Sequence, residues 1–339
     1  MRTIGQVLNS TPSYGRVEVA ELPNVGGIGI ELELEANRSF REVRGWERTS
    51  DGSLRNGVEY VFAGPQAGRQ ALETIMAMGE ELQARPADPS FRCSTHIHMD
   101  VRDLGFDELD RLVALYTLYE GVMFDHCAPY RRYSNFCPPY FINDQQVRNF
   151  NQQFRLSANP ASKLSLLRTH WNKYSSLNLK VTGEIGSVEF RGSHALTTSE
   201  ELLGLAQRML HLKRYVKENP DEDCMSFITR AHQRGFREVF LQGISPQYAH
   251  DAEIQDLCYS NAVFLATSEW RYDEAVEQDS QQTGWESVLQ RAGASAASRP
   301  RQAWCRINAA TFELYNIDPN SLEPHPADPA YKSLVSVVS

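Results

Sequence analysis

Four short segments of the sequence carry acidic or imidazole side chains that a β-strand would place on a single face. They are GIGIELELEA, GVEYVFA, CSTHIHMDV and GSVEFRG. The candidate residues on these faces are Glu31, Glu33, Glu59, His96, His98, Glu189 and Arg191. Side chains two residues apart on a strand lie roughly 7 Å apart, a spacing that suits ligands of a shared metal cluster.

Each segment taken alone also has an ordinary explanation. One polar face in water is the default for a half-buried antiparallel sheet, and Glu189 with Arg191 is also consistent with a surface ion pair. Glu59 differs, because it lies inside an apolar run where a buried carboxylate needs a partner. The combination favours a functional site, since Glu31 and Glu33 repel each other unless a cation lies between them.

The chemistry that these residue types predict is metal-assisted phosphoryl transfer. Several glutamates with one histidine suit Mg²⁺ or Mn²⁺, which prefer hard oxygen ligands. Arg131, Arg132 and Arg191 suit phosphate, because a guanidinium binds phosphate oxygens in pairs. Bound metal ions and arginines together neutralise the charge that develops in phosphoryl transfer. The sequence contains neither a P-loop nor a G-x-S-x-G motif, so we expect any nucleotide to bind on the sheet.

The elements that must position these residues alternate along the first two-thirds of the chain. Helices are predicted over residues 66–85, over Phe106–Phe124 with Asp107 as its N-cap, and after the capping-box pair Thr198 and Glu201. Residues 125–168 are predicted to be less regular. The predicted strands are Gly27–Ala36, Gly57–Ala63, Cys93–Val101, Tyr174–Val181 and Gly186–Gly192.

Composition excludes several classes of protein. The chain has 339 residues and a net charge of −9, which argues against a large nucleic-acid interface. Its six cysteines form no C-x-x-C pair, so we expect free thiols in a reducing compartment. The sequence has no uncharged apolar run near 18 residues and no signal-peptide h-region, so we expect a cytoplasmic protein without a membrane span.

The segments, taken in order, resemble the amidoligase family, which belongs to the glutamine synthetase-like carboxylate–amine ligase superfamily. The resemblance spans about Gly26 to Leu210. It rests on GIGIELELEA, on DGSL followed by GVEYVFAGP, and on CSTHIHMDV, APYRRYSNFC, YSSLNL and SVEFRGSHALT. None of these motifs is specific alone, whereas six in the family's order are. The chain departs from the family at Ser94–Thr95, where Gly-Leu is usual, and in the turn at residues 193–197.

The resemblance implies an α+β fold, with a curved antiparallel sheet, flanking helices and a mostly helical C-terminal region. Its concave face would hold two or more Mg²⁺ ions and the phosphates of ATP. The implied catalytic domain covers residues 1–217, with a helical or loop insertion at about 103–172. Residues 218–339, which have no match in the family, are predicted to form a mostly helical accessory region that shapes substrate access.

The resemblance also implies a role for each candidate residue. The implied metal ligands are Glu31, Glu33, Asp51, Glu59, His96 and Glu189. The residues implied for ATP binding and catalysis are His98, close to the transferred phosphoryl group, and Arg131, Arg132, Asn178 and Arg191.

Three functions are compatible with the sequence. The first is an ATP-dependent ligase that joins a small-molecule or peptide carboxylate to an amine, forming an amide or isopeptide bond through an acyl phosphate. The second is another metal-dependent phosphoryl-transfer enzyme or phosphohydrolase. The third is a non-catalytic phage or bacterial protein with a decayed site. The intact set of acids and bases argues against decay.

Overall fold

The computed structural model describes residues 2–15, 17–35, 41–87, 89–139, 154 and 157–222. Over this part of the chain the fold is α+β, with one six-stranded antiparallel sheet flanked by helices. The strands are β1 (Ile28–Leu34), β2 (Trp46–Thr49), β3 (Val58–Phe62), β4 (Ser94–Asp100), β5 (Leu177–Asn178) and β6 (Ser187–His194). They lie in the order β2–β3–β1–β4–β6–β5, so β1 and β4 occupy the centre.

One face of the sheet packs against three long helices. They are α2 (Gly68–Ala84), α3 (Phe106–Asp125) and α6 (Ser199–Glu218). The alternating apolar residues of β1 lie fully buried in this layer, and Tyr60 of β3 and Phe190 of β6 join them there. The alternation predicted for β1 is therefore confirmed, and it leaves the acidic residues of that strand on the opposite face.

Four shorter helical segments complete the described fold. They are α1 (Ile4–Leu8), a 3₁₀ helix (Pro129–Tyr133), α4 (Pro160–His170) and α5 (Lys180–Ile185). The 3₁₀ helix carries the predicted arginine pair and packs beside β6. The capping box at the start of α6 is confirmed, since the side chain of Thr198 accepts a hydrogen bond from the N–H of Glu201.

A β-bulge interrupts the pairing of β4 with β6. Thr95 lies opposite Ser193, whereas Ile97 lies opposite Phe190, so β6 contains one more residue than β4 over this stretch. An extra residue bends the strand and changes which way the following side chains point. Glu189 and Arg191 share one face of β6, as residues two apart on a strand do, whereas beyond the extra residue Ser193 pairs with Thr95 on the helix-covered face.

The strand predicted over Tyr174–Val181 is wrong for most of its length. Only Leu177–Asn178 pairs with β6, and Lys180–Ile185 forms helix α5. The side chain of Asn178 accepts a hydrogen bond from the N–H of Lys180 at 3.0 Å, which turns the chain into the helix. Lys180 therefore does not continue the strand face that carries Asn178.

One smaller expectation is also wrong. Helix α3 begins at Phe106 with Gly105 as its N-cap, and not with Asp107, because the Glu108 carboxylate accepts the N–H of Gly105 at 2.7 Å. In the predicted less regular segment 125–168, helix α4 starts at Pro160 behind the N-cap Asn159, and residues 140–153 lie outside the described residues. The helices predicted beyond residue 222 lie outside the described residues. Among the helices that the structure describes, none is long and apolar enough to cross a membrane.

An added methyl group should have opposite effects on stability at two glycines inside helices. In α2, a Cβ on Gly79 would lie 2.5 Å from Cβ of Ser199, at the start of α6, whereas a Cβ on Gly204 would meet only the tip of Arg208. Alanine in a helix interior is more favourable than glycine by about 0.5–1 kcal/mol. We expect Gly204→Ala to gain about this free energy of unfolding, and Gly79→Ala to lose stability because the α2–α6 contact must open. Urea unfolding of the two variants measures both effects, and equal stabilisation would contradict the close packing of α2 on α6.

Candidate functional site

The strand register collects the acidic and imidazole residues on the sheet face opposite the three long helices. Glu33 of β1 lies directly opposite Glu59 of β3, and Glu31 lies opposite His96 of β4. Across the next pair, His98 lies opposite Glu189 of β6. Because side chains alternate along a strand, one register brings together residues from four strands that are up to 158 positions apart in the sequence.

The first group of residues, which we call the histidine cluster, consists of Glu31, His96 and Glu189. Each offers one ligand atom, and the three atoms all lie within 4.8 Å of one another. His96 Nδ1 is 3.0 Å from a carboxylate oxygen of Glu31 and 3.5 Å from one of Glu189. His96 and Glu189 are buried, so these ligand atoms are held largely away from solvent.

The second group, which we call the carboxylate cluster, consists of Glu33, Asp51 and Glu59. Their candidate ligand oxygens also lie within 4.8 Å of one another. Partial burial, together with the negative charges of Glu31, Glu33 and Asp51, raises the pKa of Glu59 to about 7, although Arg191 opposes the shift. Burial and the neighbouring carboxylates thus together disfavour the ionised form of Glu59, more than Arg191 favours it.

His98 lies next to the histidine cluster and contacts Glu31. Its Nε2 lies 3.0 Å from Glu31, and its Nδ1 lies 3.3 Å from the hydroxyl of Ser187. Burial alone would lower the pKa of His98, but the hydrogen bond with Glu31 and the charges of Glu189 and Glu31 outweigh it and raise the pKa. For Glu31, burial favours the neutral acid, yet hydrogen bonds with His96 and His98 hold its pKa well below the usual range.

Arg191 supplies the positive charge on this face. One of its terminal nitrogens donates to Glu189, whose other oxygen accepts a hydrogen bond from Asn178 at 2.6 Å. The Nε of Arg191 is buried and finds no hydrogen-bond partner within the described ranges. The guanidinium therefore retains donor capacity for an anion.

Arg131 and Arg132 occupy different positions. Arg131 is buried, and its Nε and one terminal nitrogen donate to the backbone carbonyls of Gly192 and Arg191 at 3.2 and 2.8 Å. Arg132 pairs with Asp125 at the end of α3. In this structure the side chain of Arg131 thus supports the bulged segment of β6 that carries Arg191.

A cavity of about 520 Å³ adjoins the histidine cluster. Glu31, His98 and Ser187 contribute polar groups to its lining, while Val61 and Phe62 contribute apolar surface. The cavity is large enough for a small ligand or a nucleoside.

Two functional contacts were not predicted from the sequence. Ser94 donates to Glu33 and lies 2.8 Å from His96 Nε2, and Ser187 contacts His98. The signal for Ser94 was present, since it lies two residues before His96 and therefore on the same strand face. Ser187 gives the same signal, since it lies two residues before Glu189 on β6, but its contact with His98 depends on the pairing of β4 with β6.

The donor set of both clusters fits a divalent cation. Carboxylate oxygens with one imidazole suit Mg²⁺ and Mn²⁺, and the raised pKa of Glu59 marks repulsion that a cation would relieve. Among known proteins, the chain matches no protein-family model and no curated protein sequence. The resemblance to the amidoligases therefore rests on the six motifs alone.

The pKa of Glu59 predicts a pH-dependent response to Mg²⁺. Since folding raises this pKa from 4.5 to about 7, Glu59 stabilises the metal-free fold below pH 4.5, and this contribution is lost as the pH rises to 7. We expect the melting temperature in EDTA to fall from pH 5 to pH 8 more steeply in the wild type than in Glu59→Gln. Mg²⁺ should raise it more at pH 8 than at pH 5.

Glu80→Gln, on the outer side of α2, is the matched control for a lost carboxylate. It should retain both the pH slope and the Mg²⁺ response of the wild type. Identical slopes in Glu59→Gln and the wild type would contradict the raised pKa.

The two loop arginines should differ in their effect on stability. Arg131→Ala leaves two carbonyls of β6 without their side-chain donor, and an unsatisfied buried polar group costs about 1–3 kcal/mol. Arg132→Ala removes a partly exposed ion pair, which contributes less than about 1 kcal/mol. Urea unfolding of the two variants should show the larger loss for Arg131→Ala, and the reverse order would refute its supporting role.

Proposed function

We propose that this protein is an ATP-dependent carboxylate–amine ligase, and that its six-stranded sheet is the glutamine synthetase-like sheet of the amidoligase family. The observation that supports this most strongly is the strand register, which, together with Asp51 of the loop after β2, gathers two groups of three potential ligands and one arginine on a single sheet face. A lone surface ion pair or an exposed acidic strand would not require acids from three strands to share a partly buried face.

The two clusters would hold the cations. Glu31, His96 and Glu189 form one ligand set, and Glu33, Asp51 and Glu59 form the other. When bound, Mg²⁺ or Mn²⁺ neutralises the charge of the phosphates and of the transition state. In this assignment, bound cations offset the repulsion among the carboxylates of each cluster.

Arg191 and His98 would act on the transferred phosphoryl group. Arg191 keeps a buried donor, its Nε, without a partner in the described part of the chain, and it is fixed by Glu189. His98 lies beside both Glu31 and the cavity, so a nucleoside in that cavity would direct its phosphates towards the clusters. Preorganised donors of this kind stabilise developing charge without further reorganisation.

The proposed reaction has two steps. An oxygen of the substrate carboxylate attacks the γ-phosphorus of ATP, the bond to the β-phosphate oxygen breaks, and ADP leaves. The amine then attacks the acyl carbon, phosphate departs, and the nitrogen loses a proton to give the amide. Substrates would be a small-molecule or peptide carboxylate and an amine. Because the reaction consumes ATP, we propose a cytoplasmic location, with residues 218–339 shaping access to the site.

The fate of an oxygen label tests this reaction. We expect little ADP release with Mg²⁺ and ATP alone, and strong stimulation when pools of carboxylates and amines are added together. With ¹⁸O in the carboxylate, one labelled oxygen should appear in the released phosphate, because that oxygen is the nucleophile. Mass spectrometry of the phosphate and of the coupled product measures both.

Other outcomes identify the alternatives. Rapid hydrolysis without co-substrates, with solvent oxygen in the phosphate, would indicate a phosphohydrolase, and release of AMP and pyrophosphate would exclude the acyl phosphate. Arg191→Ala should lower ADP release about 100-fold, the order expected for loss of a transition-state donor. Arg48→Ala, an exposed arginine on β2, controls for the loss of a guanidinium and should retain wild-type turnover.

A further inference from the structure

The hydroxyl of Ser94 connects the two clusters. Its oxygen lies 2.5 Å from Glu33 in the carboxylate cluster and 2.8 Å from Nε2 of His96 in the histidine cluster. The N–H of Ser94 also donates to the same oxygen of Glu33, at 2.9 Å. All three residues are buried, so water does not readily replace these contacts.

The number of protons available fixes the direction of these hydrogen bonds. A serine hydroxyl has one proton, and an ionised carboxylate can only accept. The Ser94 hydroxyl must therefore donate to Glu33, and its oxygen is left to accept from His96. Nε2 of His96 then carries a proton and donates it to Ser94.

With Nε2 held by Ser94, the other ring nitrogen faces the histidine cluster. Nδ1 of His96 lies 3.0 Å from Glu31, within hydrogen-bond distance, and 3.5 Å from Glu189. A cation that binds there would replace this hydrogen bond and take Nδ1 and the two carboxylates as its ligands. The hydrogen bond on the far side of a metal-binding histidine commonly sets which nitrogen is the ligand.

We propose that Ser94 is a positioning residue that accepts a hydrogen bond from Nε2 of His96, and so presents Nδ1 to the histidine cluster as its nitrogen ligand. The role in cation binding rests on the proposed function. The same hydroxyl bonds to Glu33, so the orientation of His96 depends on an acid of the other cluster.

The test compares Ser94→Ala with Ser94→Thr, which keeps a hydroxyl. Ser193→Ala is the matched control, because Ser193 is a buried serine on the neighbouring strand whose hydroxyl donates to the carbonyl of His194. The first measurement is the imidazole ¹⁵N spectrum of the metal-free full chain at pH 8.5, with the His96 signals assigned by their loss in His96→Gln. The second is calorimetric titration with Mn²⁺.

We expect Nε2 of His96 to carry a proton in the wild type, and to lose most of it in Ser94→Ala, where its acceptor is missing and Nδ1 keeps the proton shared with Glu31. Loss of such a supporting hydrogen bond typically weakens metal binding 10- to 100-fold, so Ser94→Ala should show this loss at one of two Mn²⁺ sites. Ser94→Thr should restore both properties, and Ser193→Ala should match the wild type.

The two proposals fail in different ways. A wild-type protein that binds no Mn²⁺ would overturn the proposed metal-dependent function, while the ¹⁵N spectra would still decide the role of Ser94. An unchanged His96 spectrum in Ser94→Ala, or a wild-type Nε2 without a proton, would overturn the positioning role. Unchanged Mn²⁺ affinity in Ser94→Ala would overturn its part in cation binding.

Discussion

Repulsion among five carboxyl groups on one sheet face is the constraint on which the site depends. Register fixes Glu31, Glu33, Glu59 and Glu189 there, and the loop after β2 adds Asp51. The contacts that offset this repulsion come from two imidazoles, one guanidinium and a few hydroxyl, amide and backbone donors. Because the strands are locked by their opposite face, the acids cannot move apart to relieve the repulsion.

The helical layer provides that lock. Ile30 and Leu32 of β1, and Ile97 of β4, are essentially fully buried against α2, α3 and α6. A one-residue slip of β1 would bury its glutamates under the helices and expose its isoleucines, at a large cost in free energy. Burial of the apolar face of the sheet therefore offsets the free-energy cost of charge repulsion on the polar face.

Much of this arrangement could be predicted from local sequence. The alternation in β1 and β4 identified both faces, and Thr198 with Glu201 identified the start of α6. The prediction of a strand through Lys180 was wrong because the same alternating pattern is also compatible with a turn. The side chain of Asn178 favours the turn, since it accepts a hydrogen bond from the N–H of Lys180. The two clusters, and the different positions of Arg131 and Arg191, depend on which strands pair, and a single strand's sequence does not encode its neighbours.

The bulge in β6 makes this part of the protein sensitive to changes in length. Glu189 and Arg191 share one face of the strand, the extra residue lies between Phe190 and Ser193, and Ser193 lies on the other face. Deleting one residue here would restore regular pairing and rotate either the pair or the following segment by half a turn. A single-codon insertion or deletion would therefore turn over part of the strand in one event, whereas a substitution changes one side chain and leaves the register intact.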